Sequence, residues 1–480
     1  MNIEKKVISL AAFFSYSIFF AFILFYFYSD DVIYLLISAI LLLVTCIIYT
    51  FKNLKNYIIH LIFYLLIFLF LLSLPTIDYF KTGYLPNYQN YIYEFCIKII
   101  MLSVISIFIG GLIGDRYYSK KKLVEYQYDY NYIKTIRIVA VVLLFCTYPA
   151  YLALNIEKVL FKIKVNDYYL YFATFESKLP LIVHYLGNFA FFILIFYLAT
   201  KPKKLYASIV LLLYVFANFI ILLTGTRNPF ILSLIFSFVY YFVRNQTEKG
   251  KWIGYKEKVL MAIFSLPIIV IMSIINYTRD GKNVGNLSFI DIIIDFIYKQ
   301  GSSFNVLAWG YMYQGDLPNR ELRNYTFGSI IDYIYRGKIG NLLFNSVDIP
   351  STDRLTVALE SNSLAHNLSY IVYQKYYLEG HGIGDSYVIG NYIDFGYVGV
   401  ILMGIILGFI FVFLLRKLYI GKIVISFLAL VILTELFFTP RGSFSASFSH
   451  VLELPLWFII LLILLTSNIL KKNKAYLIRR

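Results

Sequence analysis

Apolar residues do not alternate along this chain; they come in long unbroken runs separated by short polar connections. Runs of about 20 apolar residues are long enough to cross the hydrocarbon core as helices. Twelve are predicted, near 7–28, 32–51, 57–75, 92–114, 136–156, 180–200, 205–224, 229–243, 258–277, 397–415, 423–439 and 451–470. The first exceeds a signal-peptide core and lacks a small-residue cleavage site, so it reads as a retained anchor. The pattern is broken once, by residues 278–383. The chain therefore divides into spans one to nine (1–277), one large loop (278–383), and a re-entry segment with the last three spans (384–480).

Composition agrees with the pattern. The 480 residues are 60% hydrophobic and 15% charged, with a mean hydropathy of +0.73. Globular proteins average about 45–50% apolar and about 25% charged, so soluble, disordered and fibrous classes are excluded. Cys46, Cys96 and Cys146 all lie within apolar runs, which argues against a disulfide framework or a zinc site. The net charge of +16 would suggest nucleic acid in a soluble protein, but its distribution makes it a topology signal. With both termini cytoplasmic, the inner connections hold 26 of the 43 Lys and Arg in roughly 70 residues, and the outer ones 16 in roughly 160, as the positive-inside rule requires. The charge thus describes a lipid bilayer as partner, and no nucleic acid. The loop 278–383 and the connections at 225–228 and 440–450 then fall outside the cytoplasm.

The loop is nearly neutral, with 9 Lys and Arg against 10 Asp and Glu. Ser288 precedes Asp291, Asp295 and Lys299 at helical spacing, which predicts a capped amphipathic helix lying at the membrane interface. A second helix is predicted over 355–377, with His366, Tyr370 and Tyr373 on one face. The loop's ten tyrosines match their frequency in the whole chain, so composition gives no sugar-stacking argument. Gly380-His-Gly-Ile-Gly384 reads as a tight re-entry rather than a phosphate loop, and 385–396 as a short interfacial helix before span ten.

Ionisable residues near spans carry an insertion cost and so invite a functional reading. Arg227 lies with Asn228 and Pro229 in a tight outer turn at the start of a helix, where a guanidinium fork and backbone donors suit a phosphate. Arg279 follows span nine and Arg441 follows span eleven, so three arginines leave separate spans at one face, and together they predict an anionic ligand at the outer leaflet. Glu435 and Glu453 are candidate substrate-binding carboxylates, the bland alternative being ion pairing with Arg441. Glu94 and Lys98 are spaced as a neutralising pair. Asp30-Asp31 reads as a helix-start charge, against a metal-dependent transferase site. His366 is the best candidate general base. Neither the histidines nor the cysteines show metal-ligand spacing, and no cofactor is predicted.

Leu223-Thr-Gly-Thr-Arg227-Asn-Pro, a late external loop of about 100 residues, Gly382-Ile-Gly384-Asp-Ser386 and Asp394-Phe-Gly396-Tyr-Val-Gly399 together resemble the O-antigen and capsule repeat-unit polymerases of the Wzy type. The resemblance implies an all-α polytopic membrane protein of GT-C-like architecture, related to O-antigen ligases. It implies a glycosyltransferase that uses polyprenyl-diphosphate-linked oligosaccharides at the outer face of the cytoplasmic membrane. Family functional residues are outer-face arginines and, in the ligase relatives, a loop histidine. The matching positions are Arg227, Arg279, Arg441 and His366. Where the pattern expects a carboxylate this chain has Gly390-Asn391, with Asp385 and Asp394 the nearest substitutes. A chain-length regulator is a candidate partner. The competing function is a lipid-linked oligosaccharide flippase, disfavoured because the ionisable residues gather at one face and the loop has no inverted counterpart.

Overall fold

A computed structural model describes residues 3–120, 128–248, 250–279, 288–344 and 353–478, and all regular structure among them is helical. Nine stretches of the described residues are long and apolar enough to cross a membrane. One of them, Val32–Thr82, holds two of the predicted runs. The helix Val32–Thr50 ends in a 3-10 turn at Phe51–Asn53, Asn53 leaves helical geometry (φ −153°, ψ 69°), and Leu54–Ile67 packs back on Val32–Thr50.

Two predicted runs come out differently. The helix Asn228–Thr247 covers 229–243, but Asn228, Arg244, Asn245 and Gln246 bring polar groups to both its ends. The run 423–439 shortens to Ile423–Leu436, because Pro440 closes a 3-10 turn, Thr439–Arg441, directly after it. Fourteen residues span about 21 Å, short of a hydrocarbon core of about 30 Å.

The chain divides into two compact units. The first comprises Met1–Lys121, Ala262–Leu415 and Phe437–Ala446. In it Asn90–Ser119 and Tyr387–Ile420 meet backbone to backbone. A Cβ on Gly110 would stand 2.0 Å from the Ile405 carbonyl oxygen, and one on Gly408 2.0 Å from that of Ile107. Small residues that let helix backbones touch are how helices associate in lipid, where apolar burial gives no drive. Gly396 breaks the Tyr387–Ile420 helix with φ 62° and ψ −156°, a conformation open to glycine alone, which separates the predicted interfacial segment from span ten. Between Leu54–Ile67 and Ser73–Thr82 lies a π-helical turn, Phe68–Leu72. Asp31 caps Val32–Thr50 by accepting the Ile33 N–H (3.0 Å), and Lys98 donates to Glu94, which also accepts the Tyr26 hydroxyl (2.6 Å).

The second unit comprises Lys122–Met261, Arg416–Leu436 and Ser447–Arg480. Its largest packing is Tyr130–Val165 against Leu181–Ala199. Two of its arginines work as caps there: Arg137 donates to the carbonyls of Thr200 (2.7 Å) and Lys201 (2.9 Å), and Arg244 to those of Lys201 (3.1 Å) and Pro202 (3.0 Å). Cations at a helix C-terminus satisfy its orphan carbonyls and its dipole, so part of the chain's basic charge holds the fold.

Candidate functional site

In the first unit, the described part of 278–383 forms short helices tied by side chains to backbone. Ser288 caps Phe289–Gln300 through the Asp291 N–H (3.2 Å), and Lys299 pairs with Asp295 (3.0 Å). This predicted helix packs on Ser73–Thr82, with Ser73 donating to the Ile297 carbonyl (3.2 Å). Residues 280–287 and 345–352 of the loop lie outside the described residues. Asp394 of the Asp-Phe-Gly stretch accepts the N–H groups of Tyr325 (2.8 Å) and Thr326 (2.7 Å), while the Thr326 carbonyl accepts from Ser445 N–H (3.2 Å). The carboxylate therefore pins a loop turn to the start of Tyr387–Ile420. Asp385 is buried and accepts the Ser386 N–H (2.7 Å); burial, then the nearby Asp394 charge, push its carboxyl up to about 7. Asn391, where the family pattern expects an acid, is buried without a hydrogen-bond partner for its amide among the described residues.

The predicted helix 355–377 is two, Arg354–Glu360 and Leu364–Leu378, and the second is broken at Tyr373 (φ −140°, ψ 53°). The break turns Tyr373 toward Trp309 (ring centroids 5.5 Å apart) and leaves His366, Tyr370 and Tyr377 as the group that meets. The Tyr377 hydroxyl donates its single proton to the Arg354 carbonyl (3.0 Å). His366 Nδ1 stands 3.0 Å from the same hydroxyl oxygen; when the phenol proton stays on the Arg354 carbonyl, Nδ1 carries the ring proton and the lone pair of the neutral ring lies on Nε2. Burial, reinforced by the Arg354 charge, holds the imidazole down to about 4, neutral at physiological pH. A neutral, tautomer-locked histidine is what general-base chemistry requires.

Of the predicted arginines, Arg441 ends the 3-10 turn of the first unit, where its Nη1 donates to Gln300 Oε1 (3.1 Å) and its guanidinium lies 5.8 Å from the Phe70 ring, within the π-turn. π-turns often mark functional positions, a signal that hydropathy alone does not carry. Arg279 is the last residue of Tyr255–Arg279, and its side chain lies outside the described residues. Arg227 belongs to the second unit and precedes Asn228–Thr247, with Pro229 in the first turn. It is only 8% exposed, so it does not reach out to headgroups as a freely snorkelling side chain would.

Glu435 and Glu453, also in the second unit, are joined by His450. Its Nε2 lies 3.4 Å from Glu435 and its Nδ1 2.5 Å from Glu453. Burial opposes charge on the ring, but hydrogen bonds donated by the ring to the two carboxylates outweigh it and raise the imidazole to about 10. The clamp's contribution to stability is complete below the unfolded value of about 6.5 and declines as pH rises through about 10. His450→Gln should cost about 1 kcal/mol, the partial exposure of Glu435 keeping the figure small. Thermal unfolding of both forms across pH checks this: the gap between them should be widest near pH 6 and vanish near pH 10, and a gap independent of pH would refute the charged clamp.

Among the described residues no group of three or more His, Cys, Asp or Glu is arranged to hold a metal ion.

Long apolar helices joined by a region of short helices define a polytopic helical membrane protein. The chain belongs to the O-antigen polysaccharide polymerase Wzy family, which matches residues 10–474. Neither a curated protein nor a solved structure matches it. It is thus an inner-membrane polymerase of lipid-linked oligosaccharide repeat units, and the flippase reading is not favoured. The resemblance read from some 30 residues around Arg227 and 380–400 extends over nearly the whole chain.

Proposed function

We propose that this chain joins repeat units outside the cytoplasm, with His366 as general base and arginines as ligands of the diphosphate. In the reaction an acceptor sugar hydroxyl attacks the anomeric carbon of a glycan carried on polyprenyl diphosphate. A glycosidic C–O bond forms, the bond from that carbon to the diphosphate oxygen breaks, and the hydroxyl proton passes to His366 Nε2. The leaving group is already activated, so the remaining tasks are to hold the departing anion and to take the proton. Arg441, with Arg279 from the same unit, is a ligand of the anion, each charge-assisted hydrogen bond contributing about 1.5–3 kcal/mol. Arg227 is a phosphate ligand at its helix start. Glu435 and Glu453 are assigned to the His450 clamp.

The distribution of Lys and Arg supports both termini cytoplasmic and 278–383 outside. A chain-length regulator is a further candidate partner. The observation that carries the reading is the His366 ring, held by its Nδ1 3.0 Å from the Tyr377 hydroxyl. Cells lacking the gene should lose the ladder of surface glycan and keep a single repeat unit on its acceptor; an unchanged ladder would remove the protein from polymerisation. Because cationic side chains take the place of a divalent ion, polymerisation in isolated membranes should proceed within about twofold of its full rate in excess chelator. Loss of activity restored by added magnesium or manganese would return a metal to the mechanism.

A further inference from the structure

The break at Tyr373 and the reversal at Gly380 (φ +106°) together border an open cavity of about 310 Å³ in the first unit. The second half of Leu364–Leu378 supplies Tyr373, Tyr376 and Tyr377, and the returning segment supplies His381, Gly382 and Ile383. Ser369 ties the walls together, its Oγ accepting the Ile383 N–H (3.0 Å). The Tyr376 ring and the His381 imidazole stand 5.5 Å apart at 69°. Tyrosines are no commoner here than elsewhere in the chain, but the backbone gathers three of them around one space.

The chemistry of the walls selects the ligand. The lining holds no Asp, Glu, Lys or Arg, so it suits a neutral group and not the diphosphate. Its surfaces are mainly aromatic rings, with little polar area among them. A pyranose offers the complement, a face of C–H bonds that packs on the electron-rich face of an aromatic ring and hydroxyls around its edge. The volume lies at the lower end of the range of about 300–1,000 Å³ for small-molecule sites, fitting a ring or two rather than a lipid chain. Tyr377 also links the cavity to the proposed base, since its hydroxyl lies 3.0 Å from His366 Nδ1. The sugar that loses a proton is the acceptor.

We infer that this cavity is the subsite for a neutral sugar of the acceptor repeat unit, with Tyr376 as its stacking platform. The inference rests on the polymerase reading and names the part of the substrate held here. Tyr376 is 57% exposed, so its truncation leaves the fold intact. The probe is the free oligosaccharide released by hydrolysis of the cell's own surface polymer. Its binding to the full-length protein in detergent is followed by saturation-transfer NMR, and acceptor kinetics are measured in membranes. Tyr376→Ala should weaken probe binding about tenfold and raise the acceptor KM by a similar factor with kcat unchanged, while Tyr376→Phe should stay within about twofold of wild type. Failure of the wild-type protein to bind the probe at millimolar concentration overturns the subsite. So does equal binding by wild type and Tyr376→Ala, even where the gene is needed for the polymer ladder. Binding lost in Tyr376→Ala but kept in Tyr376→Phe supports it, even if deletion of the gene leaves the ladder unchanged and only the polymerase reading falls.

Discussion

His366→Gln should lower polymer formation by about 10²–10⁴-fold, with lipid-linked repeat units accumulating and protein levels unchanged. Glutamine keeps a side chain that can donate to Tyr377 but has no lone pair able to take a proton. The pH profile separates this base from its rival. Burial holds His366 down to about 4, so the wild-type rate should stay level from about pH 8 to about pH 5 and fall only as pH approaches 4. Asp385, pushed up to about 7 by burial, would instead give an acid limb near neutrality. A limb near 7 that survives in His366→Gln and disappears in Asp385→Asn would transfer the role to the aspartate. Tyr377→Phe removes the oxygen that fixes the tautomer while leaving the imidazole in place. It should cost about 10–100-fold, the range for partners that orient a reacting group. An effect as large as that of His366→Gln would mean the phenol itself enters the chemistry.

Much of the fold was legible because lipid imposes a strong length rule on apolar runs. The break before span ten was legible too: the polar character of 385–396 set it apart from 397–415, and the structure places the discontinuity at Gly396. The Ser288 cap and the Glu94 and Lys98 pair follow from local spacing alone. What sequence reading missed depends on tertiary contact. Tyr373 falls on the His366 face of an ideal helix, yet its backbone leaves helical geometry and its ring meets Trp309, distant in sequence. His450 and Glu453 are neighbours at i, i+3, but Glu435 joins them only through packing of Ile423–Leu436 on the 3-10 turn His450–Leu452. Composition likewise hid the tyrosine cavity, since a frequency says nothing about which rings share a space.

Arg227→Lys should lower polymer formation nearly as far as Arg227→Ala, by about 10²–10³-fold, although it keeps the charge. The argument lies in the geometry of the donor. Arg227 is buried at the start of Asn228–Thr247, where the first-turn N–H groups have no partners within the helix. A phosphate held there needs a planar fork of fixed direction beside those donors, and guanidinium meets two of its oxygens at once. An ammonium on a flexible stem offers a point charge that turns freely and is more strongly hydrated, so its desolvation at a buried position costs more. Both variants should be as abundant in membranes as the wild type, and lipid-linked repeat units should accumulate in both. If lysine restores a ladder of normal length while alanine does not, charge alone suffices and the bidentate contact is wrong. If alanine too makes normal polymer, Arg227 has no part in binding the diphosphate.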